Sequence, residues 1–421
     1  MPPRRVVPLL ALVSVLTAAA LVRPQTGADA QALPDDLVEI ACSIPHEHLL
    51  RTWRGWRPDR AAQLSFLPKE PNFVGSGLPH VGPWDYMQTV PMLWYGPGFI
   101  EERGEVDRPV TSAGIAPTAA GLLKFDGFAA PDGQPMTEAL LPEDRREIPK
   151  LVVTMVWDAG GMNVLEAHPD AWPYTRSLIP EGTWYTDATV GSSPTSTAQI
   201  HATIGTGSFP MHHGLTGHNM MVAGHLTAPW NAGPTFFLEP TLADVYDRAM
   251  GNEPVVGLVG TVDIHFGMLG HGSFYSGGDR DIALTRSVVG GETLTDEGFE
   301  WNLPERDAPY YQLPGYANEV GGFKHDKQQL DRADGRLDGK WRDNDIEELL
   351  RGFDTPARTP YQQRVVEEVV RREEFGQDEV PDLLYLNFKA IDYVSHVWSM
   401  NSPEMRDAVV AQDRALKDLV T

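Results

Sequence analysis

The sequence predicts an α/β protein built on a doubly wound, mostly parallel sheet flanked by helices. Three continuous apolar runs, at residues 151–157, 255–259 and 383–388, are typical of strands that are buried on both faces. Stretches with helical periodicity, such as residues 361–374, separate these runs. Strands that alternate with helices indicate a parallel sheet with helices packed on both of its faces.

Length and charge limit the classes of partner. The chain has 421 residues, of which 42% are hydrophobic, and this is enough for a sizeable core. The 34 Lys and Arg residues against 58 Asp and Glu residues give a formal net charge of -24. Such a charge opposes binding to nucleic acid polymers and anionic lipid. A small anionic ester could still bind as substrate, because bound divalent cations reverse the local field whatever the net charge. The oligomeric state is not indicated.

Residues 1–32 have the pattern of a secretory signal peptide. Arg4 and Arg5 precede an apolar run at residues 6–22, and small residues follow it. The alternative is an uncleaved membrane anchor, which the shortness of the run disfavours. We expect a secreted or extracytoplasmic protein with no stable membrane insertion after signal removal. The single cysteine, Cys42, excludes an intrachain disulfide and a zinc–thiolate cluster.

A polar segment divides the remainder of the chain. Residues 125–149 are rich in Pro, Asp and Glu and have no sustained apolar period, which is typical of a linker. An N-terminal segment, residues 44–124, precedes this segment, and the main α/β region, residues 150–421, follows it. No internal repeat is visible.

Asp158 is the first candidate functional residue, because it directly follows the first predicted strand. In an open α/β sheet the catalytic groups gather where strands end. Gly160 and Gly161 come next and allow the backbone to turn sharply beside a ligand. An Asp in this place is also a common helix cap, so the residue alone does not decide between the two roles.

Thr197 is the second candidate, within the hydroxyl-rich block PTSTAQIHATIG. The near-helical spacing of the apolar residues after it predicts that Thr197 lies at the first turn of a helix. Such a helix end favours negative charge, both on an alkoxide nucleophile and on an incoming phosphoryl group. The alternative is again a simple cap.

Asp392 and His396 form a third candidate group, directly after the last predicted strand. Their separation of four residues places both on one face if the segment is helical. Carboxylate oxygen and neutral imidazole are both good zinc ligands. Chance pairs at this spacing are common, so the pair alone is weak evidence.

Together these blocks resemble the type I phosphodiesterase and nucleotide pyrophosphatase branch of the alkaline phosphatase superfamily. The matching segments are VVTMVWDAGG, PTSTAQIHATIGTGSFPMHHG and LLYLNFKAIDYVSHVWSMNSPEMRDAVVAQDRAL, and they occur in the family's order within residues 150–421. The resemblance implies an alkaline phosphatase-like fold and a phosphoesterase with a threonine nucleophile, Thr197, and two divalent metal ions, expected to be zinc.

The N-terminal segment resembles the C-terminal end of the same enzymes. GLPHVGPWDYMQTVPMLWYGPGFI and VTSAGIAPTAAGLLKF carry this resemblance, and His80 matches the histidine that completes the first metal site. The resemblance therefore implies a circularly permuted chain in which residues 44–124 belong to the main domain. The resemblance also implies that His80, Asp392 and His396 are the ligands of one metal ion, and that Asp158 and Thr197 are ligands of the second metal ion.

The second metal site departs from the family pattern. The family completes it with an Asp-His pair in an Asp-His-Gly motif after the helix that corresponds to residues 402–420. This sequence ends at Thr421 and has no Asp-His pair elsewhere. We therefore expect either a core that is truncated at its C-terminus or a degenerate protein.

Two further departures leave the leaving group open. Many nucleotide pyrophosphatases have an Asn that holds a phosphoryl oxygen where this chain has Ile200, and Gln199 is a possible substitute for that phosphoryl contact. Related monoesterases have a Lys-x-Arg clamp where a tentative alignment puts Thr261 and Asp263.

The missing Lys-x-Arg clamp weakens the monoesterase case, and we favour a phosphodiester or nucleotide pyrophosphate substrate. The alternatives are a phosphomonoesterase, a phosphonate or sulfate ester hydrolase on the same scaffold, or a non-catalytic exported metal-binding protein. The number of zinc ions per chain would separate the enzyme from the binding protein.

Overall fold

The computed structural model describes residues 35–72, 78, 80–285, 300–352 and 355–421. The chain divides into two compact units, Met1–Pro45 and His46–Thr421. Of the first unit, the structure describes helix α1 (Asp35–Ser43) and its flanking turn. The expected signal peptide, residues 1–32, lies outside the described residues.

The second unit contains the remaining described helices and strands. Its helices are α2 (His46–Arg54), α3 (Asp85–Gln88), α4 (Ile115–Leu122), α5 (Met162–Ala167), α6 (Pro173–Leu178), α7 (Thr197–Thr206), α8 (Pro210–His213), α9 (Leu242–Ala249), α10 (Phe323–Asp331), α11 (Ile346–Gly352), α12 (Arg358–Arg372), α13 (Ala390–Ser395) and α14 (Pro403–Val420). Its strands are β1 (Leu93–Trp94), β2 (Gly104–Val106), β3 (Val110–Thr111), β4 (Leu151–Trp157), β5 (Thr183–Tyr185), β6 (Ala188–Thr189), β7 (Met220–Val222), β8 (His225–Thr227), β9 (Asn231–Pro234), β10 (Val256–Val259), β11 (Asp281–Leu284), β12 (Tyr311–Gln312), β13 (Lys340–Trp341), β14 (Asn344–Asp345) and β15 (Asp382–Phe388).

The main sheet has five parallel strands in the order β12-β11-β10-β15-β4. Strands β15 and β4 are paired over their whole length, with Asp382 opposite Leu151 and Phe388 opposite Trp157. Because all five strands run the same way, their carboxyl ends meet at one edge. The three strands predicted from apolar runs are therefore confirmed, and so is the predicted fold class.

Helices cover both faces of this sheet. Alternate residues of β15 point to opposite faces, so that Leu384 and Leu386 belong to one apolar core and Leu383 and Tyr385 to the other. Helices α12 and α14 pack into the first core, while α4, α7 and α9 pack into the second. The removal of apolar surface from water on both faces is the main favourable contribution to this arrangement.

The N-terminal segment is built into the same unit as the main sheet. Strand β5 lies between β1 and β2, antiparallel to β1 and parallel to β2, and β3 pairs in parallel with β6. The segment predicted as a linker forms only 3-10 turns and one isolated bridge, yet it is packed. Met136 is fully buried, and its N–H donates to Thr118 Oγ1 at 2.8 Å. The circular permutation itself stays a prediction.

Among the described residues, no helix combines the length and the apolar character that a bilayer crossing requires.

Helix α7 lies unusually close to the 3-10 turn Asp263–Gly267 that follows β10. A Cβ atom on Gly205 would lie 2.5 Å from the Gly267 carbonyl oxygen, and one on Gly267 would lie 2.5 Å from the Ala202 nitrogen. Only glycine permits this backbone contact. The contact brings the rings of His201 and His265 to a centroid separation of 4.7 Å.

We predict that Gly205→Ala lowers the melting temperature, although alanine is the better helix former by about 1 kcal/mol. The new methyl group would meet backbone atoms that cannot move independently. Gly121→Ala in α4 is the control, since its nearest neighbour is the flexible Leu140 side chain at 3.4 Å. Thermal unfolding of the two variants tests this, and a stabilised Gly205→Ala protein would contradict the packing argument.

Candidate metal and nucleophile site

The candidate site lies at the carboxyl edge of the main sheet. Asp158 directly follows β4, and Lys389 directly follows the neighbouring strand β15. The Asp158 N–H donates to the Phe388 carbonyl at 2.9 Å, so the two chains remain side by side beyond the strands. Asp392 is in the first turn of α13, and His396 follows the end of this helix.

His80, Asp392 and His396 converge as the sequence predicts. Asp392 lies between the two rings, with Oδ1 at 3.8 Å from His80 Nε2 and Oδ2 at 3.7 Å from His396 Nε2. All three ligand atoms lie within 4.8 Å of one another. The carboxylate is buried, whereas the two imidazole side chains are 31% and 34% exposed. Two imidazoles and one carboxylate with an open side fit a catalytic zinc site.

The tautomer of His80 suits a metal ligand. Its Nδ1 lies 3.0 Å from the Leu78 carbonyl oxygen, and a carbonyl can only accept, so Nδ1 carries the proton. The lone pair of Nε2 then faces Asp392. A backbone carbonyl that orients a ligating histidine in this way is a common feature of metal sites.

Two hydrogen bonds hold the His80 segment in place. The Leu78 N–H donates to the Ser395 carbonyl at 2.9 Å, and the Thr195 hydroxyl donates to the carbonyl of His80. His80 is thereby tied both to α13 and to the loop before Thr197.

Gln88, which the sequence analysis did not single out, makes a further link. Its fully buried amide donates to the carbonyls of Gly82 and Ser192 at 2.8 and 2.9 Å and accepts from the Gly191 N–H at 3.0 Å. It therefore joins the His80 segment to the loop that leads into α7. An isolated glutamine in a turn-rich stretch carries no sequence signal for this role.

A second group, Asp158, His201 and His265, also has its potential ligand atoms within 4.8 Å. The donor chemistry of this group does not fit a metal. His265 Nδ1 accepts from the backbone N–H groups of Thr261 and Val262 at 3.1 and 3.4 Å, so the neutral ring carries its proton on Nε2. That Nε2–H, and no lone pair, faces Asp158 Oδ2 at 3.4 Å.

His201 belongs to the same polar network. Its Nδ1 donates to the Thr197 carbonyl at 2.7 Å, so its Nε2 is the acceptor for the Asn387 amide at 2.8 Å. The Asn387 amide also lies 3.5 Å from Asp158 Oδ2. The network thus connects the first turn of α7 to the metal-ligand candidate at the end of β4.

Lys389 lies between the two buried carboxylates. Its Nζ is 2.8 Å from Asp158 Oδ2 and 2.6 Å from Asp392 Oδ2, and the side chain is 9% exposed. The local sequence around this lysine indicates no role for it. Its position depends on the neighbouring strand, which the local sequence does not reveal.

The lysine governs the charge of the site. Burial alone would raise the pKa of Asp158, but the Lys389 ammonium and the contact with His265 hold it well below its usual value. Burial also favours a higher pKa for Asp392, but the Lys389 ammonium lowers it, and the net effect is a lowered pKa. Burial disfavours the ammonium, but the two carboxylates raise the pKa of Lys389. Both acids are therefore charged and paired with a charged lysine at neutral pH.

The two histidines beside Asp158 are neutral. Burial lowers the pKa of His265 to about 3, and burial also lowers the pKa of His201 despite the attraction of Asp158. They give hydrogen-bonding groups to the site without adding charge.

Thr197 is the first residue of α7, where the sequence predicts it, and it is half-buried. Ser196 precedes it as the N-cap residue and donates through its hydroxyl to Gln199 Oε1. Gln199 is fully buried, and its Nε2 has no hydrogen-bond partner within the described part of the chain. A contact between Gln199 and a phosphoryl group would require movement of its surroundings, and this role stays a prediction.

His218 is a further residue that sequence reasoning missed. It is exposed on one side, yet the protein around it excludes enough water to lower its pKa, and the nearby Lys389 charge lowers the pKa further. The charges of Asp158 and Asp392 act in the opposite sense and raise it. In the sequence, only the histidine-rich stretch MHHGLTGH draws attention to this residue.

His213 anchors α8 behind α7. Its Nδ1 accepts from the Leu215 N–H at 3.2 Å, which directs the Nε2–H to Thr203 Oγ1 at 3.2 Å. Burial lowers the pKa of His213 from 6.5 to about 3.

This shift predicts acid instability. The unfolded chain takes up the proton near pH 6.5, whereas the folded chain resists it until about pH 3. The contribution is therefore fully present above pH 6.5 and is lost as the pH falls through this window, with a slope of about 1.4 kcal/mol per pH unit. His213→Asn should flatten the pH dependence of the unfolding free energy, while the exposed His225→Asn should not. Equal slopes in both variants would exclude His213 as the cause.

Comparisons with known proteins identify a family. The family model described as type I phosphodiesterase / nucleotide pyrophosphatase matches residues 152–421. A curated protein from Myroides odoratus, named "Calcium-transporting ATPase", is 23% identical in an alignment of length 334 that covers 67% of this chain and 58% of that protein. The chain thus spans little more than half the length of that relative.

Solved structures show weaker likeness. Wild-type alkaline phosphatase PafA superposes with a TM-score of 0.45 at 20% identity, covering 65% of this chain and 59% of that one. Phosphonoacetate hydrolase from Sinorhizobium meliloti 1021, in complex with phosphonoacetate, gives 0.35 at 18% identity, covering 65% and 53%. Scores this low add nothing to the fold that the strand order already shows.

Proposed function

The chain belongs to the type I phosphodiesterase / nucleotide pyrophosphatase family, and from this membership we propose that it is a metal-dependent phosphoesterase. The signal-peptide pattern of residues 1–32 supports its export. In this proposal Thr197 is the nucleophile, and His80, Asp392 and His396 hold a divalent metal ion, which the two imidazole ligands suit to zinc. The substrate is a small phosphodiester or nucleotide pyrophosphate.

One observation supports the proposal above all others. Three residues with the donor atoms that zinc prefers converge from opposite ends of the chain, and the same segment that carries His80 is tied to the loop before Thr197 through Thr195. A structural role would not require His80 and His396 to present their rings to solvent on either side of a buried carboxylate.

The chemistry follows from the helix end and the nearby charges. The Thr197 hydroxyl loses its proton to solvent, and its oxygen attacks phosphorus while the ester bond to the leaving oxygen breaks in line with it. The leaving oxygen takes a proton from solvent. Water then attacks the phosphothreonine, which releases the phosphoryl product and returns the hydroxyl to Thr197. The positive end of α7 favours negative charge at the reacting oxygens.

A metal ion at His80, Asp392 and His396 would supply Lewis-acid stabilisation of the transferring group. His201 and Asn387 position the nucleophile, because their hydrogen bonds link the first turn of α7 to Asp158.

We predict that Thr197→Ala lowers kcat for an activated diester such as bis(p-nitrophenyl) phosphate by at least about a thousandfold, because it removes the covalent nucleophile. Thr197→Ser should retain measurable turnover, since serine keeps the hydroxyl. Thr206→Ala removes a hydroxyl from the other end of α7 and should change the rate little. Turnover of Thr197→Ala within tenfold of the unmodified protein would rule out this nucleophile.

We also predict that His80→Ala weakens zinc binding roughly a hundredfold or more, since even the loss of a residue that only supports a ligand costs tenfold to a hundredfold. His396→Ala should act similarly. His225→Ala, in the exposed strand β8, is the matched control. Calorimetric titration with zinc measures the effect. Unchanged affinity in His80→Ala would show that the N-terminal segment gives no ligand to the centre.

A further inference from the structure

Helix α2 precedes the residues that the family model matches, yet it contacts two segments of the candidate site. We propose that Arg51 of this helix is a positioning residue for the reaction, because it fixes the loop before Thr197 relative to the segment that carries His80. The inference rests on the proposed function and deepens it, since Arg51 acts on that reaction only through the placement of the nucleophile.

The loop at residues 191–194, here called the nucleophile loop, leads towards α7 and has no regular secondary structure. Its buried backbone groups therefore need hydrogen-bond partners from elsewhere in the chain. The Gly191 carbonyl accepts from the Arg54 guanidinium at 3.1 Å, and the Ser193 N–H donates to the Arg51 carbonyl at 2.9 Å. Both partners belong to the last turn of α2, so this helix holds the nucleophile loop.

The side chain of Arg51 reaches the His80 segment. Its Nη1 donates to the Pro83 carbonyl at 2.7 Å and to Asp85 Oδ1 at 2.6 Å, and Pro83 follows closely on His80 in the chain. The guanidinium is buried, with 9% of the side chain exposed. A buried guanidinium needs such acceptors, because its unpaired charge would be costly. Arg51 thus contacts the nucleophile loop through its carbonyl and the His80 segment through its side chain.

Close packing makes the junction between α2 and the nucleophile loop rigid. A Cβ atom on Gly55, which directly follows α2, would lie 1.6 Å from the Ser193 carbonyl oxygen. The Arg54 guanidinium also lies 4.5 Å from the centre of the ring of Phe209, the residue that precedes α8. A displacement of α2 would therefore displace the nucleophile loop, and Thr197 with it.

The distance between the nucleophile and the metal centre is what Arg51 sets in this inference. In-line attack requires the Thr197 oxygen to lie close to phosphorus, and a misplacement of about 1 Å can cost about a hundredfold in rate. The His80 segment keeps a separate attachment to α13, through the Leu78 N–H. Loss of the guanidinium should therefore disturb Thr197 more than the metal ligand.

The test is Arg51→Gln, which removes the charge and shortens the side chain. At saturating zinc, kcat for bis(p-nitrophenyl) phosphate should fall at least about tenfold, while KM and the zinc dissociation constant change by less than about threefold. A side chain that only supported His80 would instead weaken zinc binding by about tenfold to a hundredfold. Arg51→Lys keeps a cation near the same acceptors and should restore part of the lost rate.

Hydrogen exchange at the Ser193 amide gives a second readout, which does not depend on activity. This N–H is bonded to the Arg51 carbonyl within a buried residue. Arg51→Gln should accelerate its exchange at least about tenfold, because the loop opens more often once α2 is detached from the His80 segment. If Arg51→Gln does not fold, Asp85→Ala takes its place, since the Asp85 side chain is 78% exposed and its truncation removes one acceptor of the same guanidinium. Asp85→Ala should lower kcat and accelerate the exchange in the same direction.

Arg364→Gln is the matched control. Arg364 also donates from a partly buried guanidinium to a carboxylate and to a carbonyl, with Nη1 at 3.1 Å from Asp326 Oδ1 and at 3.3 Å from the Pro360 oxygen. It joins α12 to α10, and neither helix carries a residue of the candidate site. Arg364→Gln should lower the melting temperature but leave kcat and the exchange at Ser193 unchanged.

The outcomes separate the inference from the proposed function. Unchanged kcat at saturating zinc, unchanged exchange at Ser193, or an equal loss of rate in Arg364→Gln would each overturn the inference while the phosphoesterase proposal stands. A loss of zinc affinity that accounts for all of the slower turnover would also overturn it, since Arg51 would then support only the metal ligand. If the unmodified chain hydrolyses no ester, the proposed function fails, and the exchange at Ser193 alone decides whether Arg51 holds the nucleophile loop.

Discussion

The site depends on the burial of two carboxylates, Asp158 directly after β4 and Asp392 in the helix that follows the neighbouring strand β15. The pairing of β4 with β15 places Asp158 beside Asn387 and Lys389, and the first turn of α13 brings Asp392 to the same ammonium. Buried charges are costly unless they are paired and hydrogen-bonded. Lys389 meets this requirement for both acids at once. It directly follows β15, which pairs with the strand that ends before Asp158 and leads into the helix that carries Asp392.

The histidines around this core differ in role because their hydrogen bonds fix different tautomers. His80 donates from Nδ1 to a backbone carbonyl and keeps a free lone pair on Nε2. His265 accepts at Nδ1 from backbone N–H groups and so presents a proton. Rings at similar distances from a carboxylate therefore offer a lone pair that suits a metal in one case and a hydrogen-bond donor in the other. Distance alone does not separate these roles.

Periodicity predicted the sheet and the start of α7, because strand burial and helical spacing are local properties, whereas the convergence of His80 with Asp392 and His396 was implied only by the family resemblance. Neither gave Lys389, His218 or Gln88. A lysine that ends a strand looks like a solvated residue until the neighbouring strand is known to end in Asp158. The buried amide of Gln88 acts between loops about a hundred residues apart, and no local pattern records such a contact.

The assembly of the site from distant segments links metal binding to folding. Two hydrogen bonds hold the His80 segment near Asp392, one from the Leu78 N–H to the Ser395 carbonyl and one from the Thr195 hydroxyl to the His80 carbonyl, while the His80 ring itself is partly exposed. Bringing such remote segments together costs chain entropy. A metal ion that binds only the assembled ligands offsets part of this cost, so its binding free energy also stabilises the docked segment. The pairing of Lys389 with both carboxylates also offsets part of the cost of burying them.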